Sequence, residues 1–258
     1  MKFIYKAIVI ICAAGGTLFA GEATGKQHAE EIFEEANRIY IEENYQKAVE
    51  LYESILDSGF ESAALYYNLG NAYLQEGMVG MAILNYERAL IIDPSDEDAK
   101  YNLRIADSRI TGTIDPVPRL FFHKWHDSLV GIQSADAWAK TLIVLSFLFS
   151  ISFAVFLLAG SKLYKKTGFF AALIILLFSL VSFYSAKAQY RRQTERNMAV
   201  VVEEYALLRS APTGRSTELF RIYEGNRLRL TDTIGEWCEV RLPDGNIGWI
   251  ECSALKVI

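Results

Sequence analysis

Two stretches without a single charge set the first limit on this fold. Thr141–Ser161 (TLIVLSFLFSISFAVFLLAGS) and Thr167–Ala186 (TGFFAALIILLFSLVSFYSA) run for 21 and 20 residues. An α-helix rises about 1.5 Å per residue, so roughly 20 residues cross a hydrocarbon core of about 30 Å. Both runs are apolar on all sides, unlike the surface helix of a soluble domain. Two membrane spans are therefore expected. They account for much of the 52% hydrophobic content, while 13% aromatic residues and only five Pro exclude a disordered or collagen-like chain.

Charge divides the chain into blocks. Residues 21–115 hold 7 Lys+Arg against 19 Asp+Glu, a net −12, whereas residues 116–196 hold 10 against 3, a net +7. Residues 197–258 are close to neutral, at 7 against 9. The overall charge of −5 argues against nucleic acid as a partner. Ahead of these blocks, Lys2 and Lys6 precede the apolar run Ala7–Ala14 and the small residues ending at Ala20, the layout of an export signal. Lys162, Lys165 and Lys166 form a short positive connector between the two apolar runs, and such loops stay cytoplasmic. Both flanking blocks then face the periplasm. Before the first span, Phe121, Phe122, Trp125, Leu129 and Val130 alternate with His123, Lys124, His126 and Asp127, which suits a segment at the membrane interface anchored by Trp125 and Trp138. Two histidines three apart without further ligands read as interfacial, and no metal or other cofactor is expected.

Residues 21–115 repeat with a period of 34. Ala36 recurs as Gly70, Asn37 as Asn71, Ala48 as Ala82, Tyr52 as Tyr86 and Ile55 as Ala89. Within the second unit the spacing of Tyr66, Leu69, Gly70, Tyr73, Ala82, Tyr86, Ala89 and Pro94 resembles the tetratricopeptide repeat (TPR), a pair of helices that crosses at small residues. The first unit, Ala29–Ser62, has Ile39 for Tyr and Phe60 for Pro, and Tyr101-Asn102-Leu103 opens a partial third unit whose helix, Glu97–Ile110, reads as a polar cap. Such repeats do no chemistry; they present a concave face to a partner segment. Here that face is expected to expose Phe33, Asn37, Tyr40, Tyr67, Asn71, Leu74, Tyr101 and Ile105. Asn37 and Asn68 stand where carboxylate-clamp repeats hold a peptide carboxyl terminus. Phe33 and Asp98 occupy places where such a clamp needs bases, so a packing role for the asparagines is the plainer expectation.

From Ala199 the period changes from 3.6 to 2. Ala199–Val202, Arg227–Thr231 and Trp237–Arg241 read as strands between turns at 211–214, 224–226 and 243–246, the last with an Asp-Gly hairpin signal. Five or six strands in about 60 residues make a small barrel. The succession Leu208–Pro212, Tyr223-Glu224-Gly225, Gly235–Val240 and Asp244–Ile250 resembles bacterial SH3 domains. Trp237 and Trp249 are either an exposed binding face or core. Cys238 and Cys252 either pair in an oxidising compartment or remain two small buried thiols, the latter being the default.

The order of these modules resembles the BatE family of the bacterial aerotolerance (Bat) operon. The resemblance is carried by Ala48–Leu56, Tyr66–Gly70, Lys100–Leu103, Phe121–Trp138 and Gly235–Ile250. It implies an inner-membrane assembly with von Willebrand A-type and other Bat-operon membrane proteins, linked to oxidative-stress tolerance, and it implies no particular chemistry. The expected organisation is a multi-domain membrane protein. It comprises a signal peptide (1–20), a linker (21–28), an all-α TPR solenoid of two repeats plus a capping helix (29–112), and a linker with the interfacial segment (113–137). A transmembrane hairpin follows (138–161, loop 162–166, 167–186), then a juxtamembrane linker (187–197) and an all-β SH3-like barrel (198–258). With no nucleophile elbow, metal-ligand cluster or phosphate loop in the sequence, the expected role is a non-enzymatic adaptor in the lipid bilayer. The alternative is a peptidoglycan-binding or targeting subunit of an envelope hydrolase system.

Overall fold

Which residues start each helix explains most of the amino-terminal architecture. The computed structural model describes residues 25–117, 121–194 and 197–258, so the export signal expected over 1–20 lies outside the described residues. Helix α1 covers 25–41, followed by α2 (Tyr45–Asp57), α3 (Ala63–Gln75), α4 (Val79–Ile92) and α5 (Glu97–Asp107). Asn44, Ser62 and Asp96 cap α2, α3 and α5, their side-chain oxygens accepting from the amides of Lys47, Leu65 and Ala99. The small residues of the 34-residue period fall where helices touch. Ala36, Ala48, Ala72 and Ala82 are fully buried, and a Cβ on Gly70 would lie 2.8 Å from Cε1 of Tyr86.

The apolar runs form a helical hairpin. Helix α6 (Phe121–Val130) leads into α7 (Ala135–Leu158), and α8 spans Lys162–Thr194. Both α7 and α8 are long and apolar enough to cross a membrane. They pack closely on one another, because a Cβ on Gly168 would lie 2.8 Å from the backbone nitrogen of Phe156. Their outward faces are bare hydrocarbon, with Phe147 and Leu158 69% and 84% exposed. The connector expected at 162–166 is instead the first turns of α8. The chain reverses over 159–161, where the Ser161 hydroxyl accepts from the Leu163 amide at 3.3 Å. Lysines exclude a segment from hydrocarbon without excluding it from a helix. The segment expected as a linker from 187 is likewise helical to Thr194. Trp138 is buried, donating from Nε1 to the carbonyl of Val130 at 3.1 Å, so it locks α6 to α7 where an exposed interfacial anchor was expected. Trp125 is 68% exposed.

The carboxy-terminal module is an antiparallel sheet of β1 (Met198–Val201), β2 (Tyr205–Arg209), β3 (Glu218–Tyr223), β4 (Arg227–Ile234), β5 (Trp237–Arg241), β6 (Ile247–Glu251) and β7 (Leu255–Val257). Its order is β3-β2-β6-β5-β4-β1-β7, seven strands where five or six were expected. The additional short strand is β7, which pairs back onto β1. The Asp-Gly turn forms between β5 and β6, with Gly245 at φ +96° and the Asn246 amide donating to Asp244 Oδ1. Val201, Leu208, Ile222, Leu228, Val240 and Ile250 make the core, while Trp237 and Trp249 are each half-buried at its edge. Cys238 and Cys252 form a disulfide with Cα atoms 5.2 Å apart. This corrects the expectation of two free thiols. The β5–β6 register sets Cys238 opposite Ile250, two residues from Cys252, a proximity that spacing in the sequence does not reveal.

The two modules are docked directly. Helix α4 begins at Met78 without a side-chain cap of its own, and Glu224, 144 residues downstream of Gly80, accepts from the Gly80 amide at 2.6 Å. Position 80 must be glycine for this, since a Cβ would lie 2.6 Å from the carbonyl of Val201. Gly225, at φ +83°, presses on Ile83 and Ile110, and Val200 is buried within the helical core. Arg227 donates from Nε to Glu87 and from Nη2 to Asp107, the latter at 2.9 Å. Burial works against its charge, but the two carboxylates more than offset this and hold its pKa above the ordinary value. The Arg88 guanidinium donates to the carbonyl of Val257 at 2.6 Å. The end of α5 at Asp107 therefore meets the sheet module, while Glu97, Asp98 and Arg104 of this capping helix stay exposed. Gly80→Val should force the two modules apart, costing about 1–3 kcal/mol. Lower thermal stability and faster proteolysis near residues 113–117 would report it, while Gly214→Ala, in open space at 214, should leave both unchanged.

Candidate functional site

The first helices of the units, α1, α3 and α5, carry the asparagines that the 34-residue period aligns. Asn37 Oδ1 accepts from the Tyr52 hydroxyl at 2.7 Å and from Asn68 Nδ2 at 2.8 Å. One repeat later Asn71 Oδ1 accepts from the Tyr86 hydroxyl at 2.7 Å and from Asn102 Nδ2 at 2.8 Å. Asn102 also donates to the Tyr67 hydroxyl at 3.2 Å. A half-buried ladder of amides and phenols thus links consecutive units. In this arrangement the Asn37 oxygen and an Asn68 N–H are engaged with each other.

A cavity of about 200 Å³ opens along the ladder, lined by Asn37, Tyr40, Ile41, Tyr52, Asn68 and Asn71. Tyr40 packs edge-on to Tyr45 at 5.2 Å, and Phe33 lies 5.9 Å from Tyr52. Tyr101 is 58% exposed beyond it, and Ile41, absent from the expected set, is 78% exposed. Phe33, Tyr67 and Ile105 are half-buried. Leu74 is buried, which corrects its expected exposure: its side chain joins the apolar core of the repeat region, and the Arg109 guanidinium donates to its carbonyl at 3.4 Å. Of the residues expected to pack the repeat, Leu69, Gly70, Tyr73, Ala82, Tyr86 and Ala89 are buried, and half-buried Pro94 follows the end of α4. Tyr73 donates its hydroxyl to Glu53.

Burial holds these phenols neutral. Desolvation first of all pushes Tyr52 up to about 12, and it also raises Tyr40, Tyr73 and Tyr86. All four remain protonated at any physiological pH, so the phenols of the ladder stay uncharged. A second hollow, of about 310 Å³, lies on the sheet module between Tyr205, Trp237 and Arg209 and is rimmed by Glu203, Glu204 and Glu251. The surface that sequence reasoning missed is the junction of Gly80, Glu224, Gly225 and Arg227. A glycine at the second position of a helix was its single visible sign.

Asn71→Ala should leave the Tyr86 hydroxyl without its acceptor and remove one of the two Asn102 amide hydrogen bonds, at a cost of about 1–3 kcal/mol in chemical denaturation. The tyrosines also set a pH dependence. Because an unfolded tyrosine ionises near about 10, the folded module holds the Tyr52 proton more tightly. That stability is complete below about pH 10 and is lost as pH rises toward about 12. Urea midpoints should therefore fall across this range, with tyrosinate absorbance appearing together with loss of helical circular dichroism.

Comparison with known proteins agrees with this geometry. Residues 63–96 match the tetratricopeptide repeat family and residues 206–256 the bacterial SH3 domain. Over 83 residues, 32% of this chain, the sequence is 30% identical to sperm-associated antigen 1 of Rattus norvegicus. The match spans only 9% of that relative's length. Both modules are of kinds that typically bind other proteins, or for bacterial SH3 domains cell-wall material, and typically lack catalysis. The chain combines a tetratricopeptide-repeat region, two long apolar helices and an SH3-like antiparallel sheet.

Proposed function

We propose that this chain is a membrane-anchored, non-enzymatic adaptor whose helical groove holds a segment of a protein partner. The observation that carries this is the groove itself. Its ladder is hydrogen-bonded and neutral, Ile41 stands exposed in its lining, and Tyr101 is exposed on α5 beside the ladder residue Asn102. The docking contacts at Gly80 and Arg227 involve none of its lining residues. The −12 charge of residues 21–115 disfavours acidic partner segments. The α7–α8 hairpin serves as the anchor, because its bare apolar faces need a hydrocarbon environment that nothing else in the fold supplies. The lysines at 162, 165 and 166 lie at the turn, and both modules gather at the opposite end. With the turn cytoplasmic, the modules face the periplasm of the inner membrane. The BatE resemblance makes von Willebrand A-type Bat-operon proteins the partners to seek, in an assembly serving aerotolerance.

A second reading, peptidoglycan binding for an envelope hydrolase system, is favoured by one observation: the sheet module's hollow presents Tyr205 and Trp237 beside its acidic rim. A membrane-impermeant cross-linker applied from outside, followed by mass spectrometry, separates the two. Recovery of von Willebrand A-type proteins supports the adaptor; muropeptides alone would favour the wall-binding role; no labelling of either module would sink the orientation. Tyr101→Ala should lower protein capture about ten-fold without changing thermal stability.

A further inference from the structure

A cavity of about 650 Å³ lies where all three parts of the fold meet. Lys100 of α5, Arg191 and Arg192 of α8, and Arg227 and Arg229 of β4 line it, and among the described residues one side-chain carboxylate, Glu87, lines it with them. Glu87 is already engaged by Arg227, whose other guanidinium nitrogen meets Asp107. Lys100 pairs with Glu97 and Arg192 with Asp127, neither of which lines the cavity. Arg229 is exposed on its strand. These cations come from segments as far apart in sequence as residues 100 and 229, so folding itself assembles the positive charge. An ammonium carries three N–H donors and a guanidinium five, so the single pairings of Lys100 and Arg192 leave donors over for a further anion.

The height of the hollow along α8 indicates which anion. The charge-free run ends at Ala186, so Arg191 and Arg192 stand five and six residues further on, roughly 7–9 Å along the helix axis. Headgroup layers add about 5–8 Å on either side of the hydrocarbon core. Tyr184, whose hydroxyl lies 3.0 Å from His126 Nε2, stands at the lower rim, where amphipathic rings settle at a membrane surface. Leu90, Met198 and Ile258 give the cavity an apolar wall beside its cationic one. A guanidinium presents paired donors that match phosphate oxygens.

We propose that this cavity binds the phosphate of an acidic phospholipid headgroup, so that a lipid sits at the junction of the repeat region, the hairpin and the sheet module. This rests on the hairpin being the membrane anchor. The test uses the full chain in phosphatidylcholine vesicles containing a minority of phosphatidylglycerol, with native mass spectrometry of the released protein. Phosphatidylglycerol should be retained in excess over its share of the bilayer. Arg229→Gln, on an exposed strand position, should reduce that retention roughly five-fold, and Lys100→Gln with Arg229→Gln by roughly that factor again, with unchanged thermal unfolding because the Lys100–Glu97 pair is a surface one. Equal retention by wild type and variants would overturn the site even if the chain resists carbonate extraction. Removal by carbonate would instead overturn the anchor, and the lipid source with it. In detergent, a thermal shift from inorganic phosphate as large as that from phosphatidylglycerol would assign the site to soluble phosphate and overturn the lipid.

Discussion

The carboxylate of Glu224 on the amide of Gly80 fixes how the rest of this molecule is arranged. A helix begins with unpaired N–H groups and a partial positive charge. In α2, α3 and α5 the preceding residue meets that need locally, through Asn44, Ser62 and Asp96. In α4 the preceding residue is Met78, and the need is met from another domain. The central helix of the repeat region is therefore completed only when the sheet module is in place. Gly225 against Ile83 and Ile110, and Arg227 between Glu87 and Asp107, follow within three residues of the cap. One turn of the sheet module thus supplies a cap, an apolar contact and an ion pair to the same face.

That junction divides the labour of the repeat region. The docked face is held by Gly80, Ile83 and Glu87 of α4, while the amide–phenol ladder on α1, α3 and α5 remains a separate, open groove. The sheet module packs through β1 against α4. Its acid-rimmed hollow around Trp237 is formed by other strands, so the hollow and the groove are held at a set separation by the docked face.

Much of this was legible in the sequence, wherever a local pattern had a local cause. Gly70 and Ala82 had to be small and Tyr73 and Tyr86 large because the period of 34 places them where two helices cross, and the structure buries all four. The uncharged runs had to be long helices, and the Asp-Gly turn had to be a hairpin. What the pattern did not carry was pairing across distance. Glu224-Gly225-Asn226 read as an ordinary turn, because nothing in those residues names a helix 144 positions away. The Cys238–Cys252 disulfide depended on strand register, and the burial of Leu74 on how the helices close over one core. Lys162–Lys166 looked like a loop because charge reports environment more directly than backbone conformation.

Helix α8 runs unbroken from Lys162 to Thr194, and β1 begins at Met198. Taking the hairpin as the proposed anchor, this rod has no joint among the described residues from the apolar run to Thr194. A change in bilayer thickness is met by a change of helix tilt, and about 10° of tilt around the midpoint of a helix roughly 50 Å long moves its end by about 4 Å. Because α8 also packs directly against α4, that displacement reaches the repeat region. In the proposed setting the groove rides on a lever whose fulcrum is the membrane, and its position above the surface follows the mechanical state of the lipid.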